Sequence, residues 1–266
     1  MQVAYKTHLS PRMTSNRFKT FLLLAALTFA GAASAAEERT VVVGHTELYV
    51  PIASGYTDTK VMPDGEKEES TVRLEPGAQL VSMQVRHGDR DSYILIKTPA
   101  AMADQRLSLD DFLKITSQTK ASSTALANFA AFANKAVKGR EHELDEALGQ
   151  KVDKLRIGQL ALLHRGREDD DAAGYTAVWR ADINTGGDHV AAKFLLCTYI
   201  ARVKEKLLFI QLHAPQLNAG DYRWVTEVCD RYVDDIVATN KVERLKRMVP
   251  SPAGQVPPSS SATALQ

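Results

Sequence analysis

A histidine, a tyrosine and a run of acids lie close together near the middle of the chain. His164 and Tyr175 flank the four acids Glu168–Asp171, the densest acidic cluster of the sequence. Histidine and carboxylates can move protons near neutral pH, so these residues are the first candidates for the site of a hydrolase or another enzyme without a standard motif. The acids lack the alternating ligand spacing of an EF-hand calcium loop. For Glu168–Asp171 we favour a solvated hairpin loop.

Standard catalytic and cofactor-binding motifs are absent from the sequence. It contains no Gly-x-Ser-x-Gly, no phosphate loop ending in Gly-Lys-Ser/Thr and no His-Glu-x-x-His. His164, His189 and His213 lie on or near predicted strands, but approximate register separates them by about 14 Å or more, too far to share a metal ion. We therefore expect no catalytic set, no cofactor and no metal site.

The first 35 residues have the order of a secretory signal peptide. Arg17 and Lys19 precede an apolar stretch that ends in the small residues Ala33-Ser34-Ala35. The stretch is short for a membrane span, which needs about 20 apolar residues. We predict a signal peptide over residues 1–35, with Met13 as an alternative start, no transmembrane span after cleavage, and a periplasmic or secreted mature protein.

The charge of the chain changes when this segment is removed. The whole sequence has 33 basic and 32 acidic residues, a net charge of +1. Four of the basic residues and none of the acids lie before Ala36, so the remainder has a net charge of −3. A mildly acidic exported domain has no electrostatic reason to bind nucleic acid, and we expect no nucleic-acid partner.

Alternating apolar residues and turn residues predict a β-rich domain over residues 36–240. We expect an extended segment over Thr46–Ile52, then a solvated loop with the charged run Glu66–Glu69. A hairpin of Ala78–His87 and Ser92–Lys97 follows. The short connections of the second half predict an antiparallel meander of four strands. These are Leu155–Arg165, Gly174–Ile183, His189–Arg202 and Leu207–His213.

Helical patterns surround the meander. Ser108 is a candidate N-cap before Asp110 and Asp111, and a longer helical stretch lies within Ser117–Val137. A closing helix is predicted over Tyr222–Thr239. We interpret Lys241–Gln266, with four prolines and a serine run, as a disordered tail.

Side-chain alternation assigns the residues of the meander to two faces. One face is almost wholly apolar, whereas the other is mixed but still too apolar to be left in water. Helices must therefore cover both sides of the sheet, as in an α+β domain with an α-β-α sandwich. The predicted apolar face comprises Tyr175, Ala177, Trp179, Ala181, Leu195, Cys197, Tyr199, Ala201, Leu208, Ile210 and Leu212.

The chain has only two cysteines, Cys197 and Cys229. Cys197 is on the predicted apolar face and Cys229 is on the apolar stripe of the closing helix. Because the helix must bury that stripe, we expect the two sulfurs to lie close together. An oxidising compartment permits a disulfide, but two buried thiols are the open alternative.

The order of these elements resembles that of the PsbP-like and DcrB-like domains, small exported α-β-α sandwiches. The segments that carry the resemblance are "LYVPIASGY", "RLSLDDFLK" and "WVTEVCDRYVDDIV". The resemblance implies an accessory or binding module without a catalytic set. The sequence therefore favours an exported, non-enzymatic binding or accessory protein of the bacterial cell envelope, with an envelope protein or a small ligand as its partner. A purely structural envelope protein is a further alternative, and an enzyme using His164 and Tyr175 is the alternative from another class.

Overall fold

The computed structural model describes residues 38–71, 77–119, 131, 134, 135, 154–185 and 188–248. The predicted signal peptide and the end of the predicted tail lie outside these residues. The strands are β1 Glu38–Val43, β2 Thr46–Pro51, β3 Thr57–Asp58, β4 Ala78–Arg86, β5 Ser92–Pro99, β6 Lys154–Ile157, β7 Ala161–Glu168, β8 Ala172–Thr185, β9 Asp188–Val203 and β10 Lys206–Pro215. The α-helices are α1 Gly65–Thr71, α2 Leu109–Thr119 and α3 Asp221–Met248.

Eight of the strands form one antiparallel sheet in the order β3-β4-β5-β10-β9-β8-β6, with β7 also paired to β8. Strands β1 and β2 form a separate hairpin. The predicted early hairpin is confirmed as β4 and β5, and the meander is confirmed with one difference. Its first strand is divided at Gly158 into β6 and β7, which pair with successive parts of β8.

Helix α3 and the β1–β2 hairpin cover one face of the sheet, which we call the α3 face. The main core joins residues of β9, including Leu195 and Ala201, to Val225 and Ile236 of α3 and to Val43 of β1. The side-chain amide of Asn240 accepts from the amide of Tyr49 at 3.0 Å and donates to its carbonyl at 2.8 Å. This pair of hydrogen bonds fixes β2 along the helix.

Helix α2 covers part of the opposite face. Phe112 is fully buried and belongs to a cluster with Leu107 and Leu207. Ser108 caps the helix as predicted, since its hydroxyl accepts from the amide of Asp111 at 3.1 Å. The prediction of an α+β fold with an antiparallel sheet between helices and a closing C-terminal helix is therefore confirmed.

The predicted apolar face is wrong for β8. Leu208, Ile210 and Leu212 do share the α3 face with Cys197 and Tyr199. Strand β8 is shifted, however, because only two residues separate its end at Thr185 from the start of β9 at Asp188. The predicted strands Gly174–Ile183 and His189–Arg202 leave five residues between them, and a change from an odd to an even loop length moves every residue of the partner strand to the other face. Tyr175, Ala177, Trp179 and Ala181 consequently lie on the opposite face.

Two boundaries also differ from the predictions. The charged run Glu66–Glu69 is not a loop but part of the short helix α1, which its glutamates suit because they are good helix formers. Helix α3 continues to Met248, so Lys241–Met248 is helical rather than part of a disordered tail. No proline interrupts the helix before Pro250. Of the helical stretch predicted within Ser117–Val137, residues 117–119 belong to α2, Ala131, Asn134 and Lys135 are helical, and the others lie outside the described residues.

Candidate functional site

The sheet does not bring His164 and Tyr175 together. His164 is paired with Thr176, and Tyr175 is paired with Arg165. Directly opposite residues share a face and successive residues alternate, so His164 lies on the α3 face while Tyr175 lies on the other face. There Tyr175 packs against a small cluster of Leu160, Ala177 and Leu196. The predicted acid–base group is therefore split between two sides of the sheet.

His164 instead takes part in a polar network beneath α3. Its Nε2 lies 3.8 Å from Oδ2 of Asp230, and the hydroxyl of Tyr199 donates to Oδ1 of the same carboxylate at 2.6 Å. The amide of Arg167 donates to the Tyr199 hydroxyl at 3.2 Å, and its guanidinium lies 2.5 Å from Asp234. We call these five residues the docking network, because each contact joins the sheet to α3 or orients a residue that does.

Tyr199 is the centre of the docking network. Burial is the main cause that raises its pKa, and the hydrogen bond and charge of Asp230 raise it further. Two glycines leave room for the side chain: a Cβ atom on Gly174 would collide with the Tyr199 ring, and one on Gly166 would collide with its hydroxyl. The neutral phenol is thus held as a hydrogen-bond donor to α3.

The predicted acidic loop is a tight turn between β7 and β8. Oδ1 of Asp169 accepts from the amides of Asp171 and Ala172 at 2.9 and 3.0 Å. Burial alone would raise the pKa of Asp169, but these bonds and the contact with Arg167 lower it overall. Asp171 pairs with Lys241 of α3 at 2.5 Å. Asp169 thus shapes the turn, and Asp171 pairs the turn with α3.

The side chains of this region show no arrangement suited to a metal ion. Within the described ranges, no three His, Cys, Asp or Glu side chains are grouped closely enough to hold one. Arg167 lies between Asp169 and Asp234 and forms an ion pair with each of them. The chemistry available to the docking network is therefore charge compensation and hydrogen bonding.

Cys197 and Cys229 form a disulfide between β9 and α3, with their Cα atoms 6.4 Å apart. The predicted proximity is confirmed, and of the two alternatives the structure has the bond. Both residues are buried in the main core. The bond fixes the middle of α3 to the centre of the sheet, next to the docking network.

A small cavity lies between the β9–β10 turn and the middle of α3. Its volume is about 100 Å³, and its wall includes Val203, Lys204, Val237, Asn240 and Lys241. A water molecule takes about 30 Å³ in the liquid, so the cavity has room for roughly three. Pockets for cofactors and drug-sized ligands are several times larger.

A second polar cluster was missed by the sequence analysis. The guanidinium groups of Arg86 and Arg90 lie over the ring of Trp224, with their Cζ atoms 5.6 and 4.9 Å from its centroid. We call these three residues the Arg–Trp cluster. The arginines flank the β4–β5 turn, whereas Trp224 is in the first turn of α3. No local pattern links segments so distant in sequence, so only the packing of α3 on the sheet reveals the cluster.

The environment of the Arg–Trp cluster is partly open to solvent. All three side chains are half-buried, and Trp224 packs against the main core on its inner side. Gly55, with a φ of +80°, makes room for Arg86, because a Cβ atom there would lie 2.6 Å from Nη1. Nη2 of Arg86 lies 3.4 Å from Asp89, while its buried Nε has no hydrogen-bond acceptor.

No helix in the part of the chain that the structure describes is long and apolar enough to cross a membrane. No protein-family model matches the chain, and no curated protein matches it.

Two solved structures of Mog1 show a distant similarity to this chain. One is a point mutant of the protein Mog1, with 13% sequence identity, a TM-score of 0.30, and coverage of 77% of this chain and 94% of that chain. The other is the Saccharomyces cerevisiae Ran-binding protein Mog1p, with 12% identity, a TM-score of 0.27, and coverage of 77% and 95%. Similarity at this level carries no argument about function.

Proposed function

We propose that this chain is an exported, non-enzymatic binding or accessory protein of the bacterial cell envelope, and that it binds its partner at the Arg–Trp cluster. The observation that carries the proposal is Arg90, a half-buried arginine whose guanidinium lies over the ring of the half-buried Trp224. Arginine and tryptophan are among the residues most enriched in binding hot spots. The exported location rests on the signal-peptide pattern of residues 1–35, and the resemblance to PsbP-like and DcrB-like domains supports an accessory role.

The docking network joins the sheet to α3, and this structural role supports a non-enzymatic function. His164 and Asp230 meet in the contact between the sheet and α3, and Arg167 lies between Asp234 of α3 and Asp169 of the β7–β8 turn. The alternative of an enzyme with His164 and Tyr175 in one site has no support from the geometry, because the two side chains lie on opposite faces.

The experiment is cross-linking in intact cells followed by affinity purification of the full chain with its signal peptide. We expect one partner protein to be recovered with the tagged protein, or a small ligand to be detected by native mass spectrometry of the purified protein. The control is an unrelated protein exported with the same signal peptide and tag. Recovery of the same proteins in both samples, together with a ligand-free native mass, would contradict the proposal.

A further inference from the structure

The charge of Arg90 is not compensated within the described residues. Its guanidinium contacts the ring of Trp224, and no hydrogen-bond acceptor or carboxylate among those residues is paired with it. The two acids of the same turn have other partners. Asp89 lies beside Arg86 at 3.4 Å, and Oδ1 of Asp91 accepts from the amide of Gly88 at 2.9 Å.

The contact of Arg90 with Trp224, with Cζ 4.9 Å from the ring centroid, is to the charge of the guanidinium. It uses no oxygen acceptor, and the guanidinium carries its N–H donors in one plane. That planar arrangement of donors matches the two oxygens of a carboxylate, which can accept two parallel hydrogen bonds. The indole also holds the arginine in place, so less conformational freedom is lost when a ligand binds.

Arg86 adds a second positive charge to the same spot. Its Nε is enclosed without an acceptor, and Asp89 is a loose and exposed counter-charge. A partly desolvated cation with incomplete pairing is costly to keep in the folded state. An anion bound over the Arg–Trp cluster would lie near the positive charges of both arginines, with Arg90 as the one that has no acceptor among the described residues.

We infer that the Arg–Trp cluster is a recognition site for a carboxylate, with Arg90 as the residue that binds it. This inference rests on the proposed function and gives the chemistry of the ligand. The carboxylate comes either from acidic side chains of a partner protein or from a free small carboxylic acid.

The test measures the fluorescence of Trp224 in the mature protein. The chain has two tryptophans, so Trp179→Phe leaves Trp224 as the only one, and phenylalanine preserves the stacking of position 179 on Phe194. The probes are a hexaglutamate peptide and sodium acetate, compared with a hexaglutamine peptide and with sodium chloride at equal ionic strength. We expect a saturable change with at least one of the two carboxylate probes and none with the controls.

Two variants assign the effect to Arg90. Arg90→Gln should weaken the binding of the carboxylate probe by about tenfold or more, as expected for the loss of a charge-assisted hydrogen bond. Arg90→Lys keeps the charge but loses the planar donors and should give an intermediate value. The matched control is Arg180→Gln, which removes an exposed arginine that is paired with Asp182 at 2.7 Å. Thermal melting shows that each variant is folded.

The outcomes distinguish a carboxylate of a partner protein from a small acid, and they distinguish failure of this inference from failure of the proposed function. A response to the peptide alone assigns the carboxylate to a partner protein, and a response to acetate assigns it to a small acid. A response to acetate that chloride reproduces, a response to hexaglutamate that hexaglutamine reproduces, or no response to either carboxylate probe overturns the inference, as does unchanged affinity in a folded Arg90→Gln. If the carboxylate probes do not bind through Arg90 but the tagged protein still recovers its partner from cells, the inference is wrong while the binding function remains. If no partner is recovered but the probes bind through Arg90, the carboxylate site stands while the proposed function is wrong.

Discussion

Individual residues of the sheet show how closely packing and titration are linked. His213 stacks on Tyr93 with ring centroids 4.7 Å apart, and its Nε2 is enclosed without an acceptor. Burial, and secondarily the positive charge of Lys97, lower the pKa of His213 to about 4. The neutral ring is therefore the form that the folded state accommodates.

The lowered pKa of His213 predicts that the free energy of unfolding decreases in acid. The folded-state pKa lies below the unfolded value of 6.5, so the contribution of His213 is fully present above about pH 6.5 and is lost as the pH falls toward 4. We expect the loss to reach about 3 kcal/mol at most. Urea unfolding between pH 7 and 4.5 measures it, and His213→Gln should flatten the pH dependence. His189→Gln, at an exposed position, is the control, and an NMR titration of His213 near pH 6.5 would contradict the prediction.

A second prediction at the residue scale concerns Gly174, which lies against the ring of Tyr199. Gly174→Ala would place a methyl group against the tyrosine ring, between two paired strands that cannot separate without losing hydrogen bonds. We expect the free energy of unfolding to fall by about 1–3 kcal/mol, the usual cost of overpacking. Urea unfolding measures it, with Gly158→Ala as a control, because there the nearest atom to the new methyl lies at 3.3 Å. Equal stability of the two variants would show that the ring can move.

At the scale of elements, α3 is held by three kinds of contact. An apolar stripe buries it against β9, the disulfide joins it to Cys197, and the docking network pairs its outer carboxylates with β7. Exposed ion pairs each contribute little to stability, with a median below about 1 kcal/mol. The apolar stripe and the disulfide therefore hold the helix, while the ion pairs set its rotation and position along the sheet.

We predict that removal of the disulfide lowers the free energy of unfolding strongly. Its cysteines are 32 residues apart, so the chain-entropy model assigns the bond roughly 3–4 kcal/mol. We expect the double variant Cys197→Ala/Cys229→Ala to lose about that much stability in urea unfolding. Intact mass of the denatured, alkylated protein without reductant tests the bond directly. Labelling of both thiols under these conditions would show that the bond does not form.

The whole molecule has a predicted targeting segment at one end and a proline-rich segment at the other. Both lie outside the described residues, and the interpretation of each rests on the sequence. All described residues belong to one compact unit.

The proposed export predicts a mature protein that begins at Ala36. The small residues Ala33-Ser34-Ala35 after the apolar stretch suit signal peptidase. N-terminal sequencing of protein from the extracytoplasmic fraction should read Ala-Glu-Glu-Arg. Replacing Ala33 and Ala35 by leucine should leave the precursor uncut. A mature chain that retains the apolar stretch would contradict the prediction.

We predict that residues 249–266 can be removed with little effect on stability. A chain that ends after Met248 keeps all of α3 and removes a segment rich in proline and serine, which cannot bury enough apolar surface to fold. Its melting temperature should stay within a few degrees of that of the mature protein. A chain that ends at Asn240 also loses the Lys241–Asp171 ion pair and is the comparison. Loss of cooperative unfolding in the first truncation would show that the tail docks.

The sequence by itself determined the local features of this protein. Side-chain alternation indicated the long strands, the apolar stripe indicated α3, and the serine at position 108 indicated the start of α2, because each signal lies within a few neighbouring residues. The proximity of Cys197 and Cys229 also followed, since two apolar faces had to meet. The register of β8 did not follow, because one residue more or less in a loop reverses a whole strand.

Only the tertiary structure decided which side chains meet. It separated His164 from Tyr175 through the register of the β7–β8 hairpin, and it joined His164 to Asp230 through the position of α3. It also formed the Arg–Trp cluster from the β4–β5 turn and a helix far along the chain. Such groups depend on contacts between distant segments, and their geometry exists only once the helix has packed against the sheet.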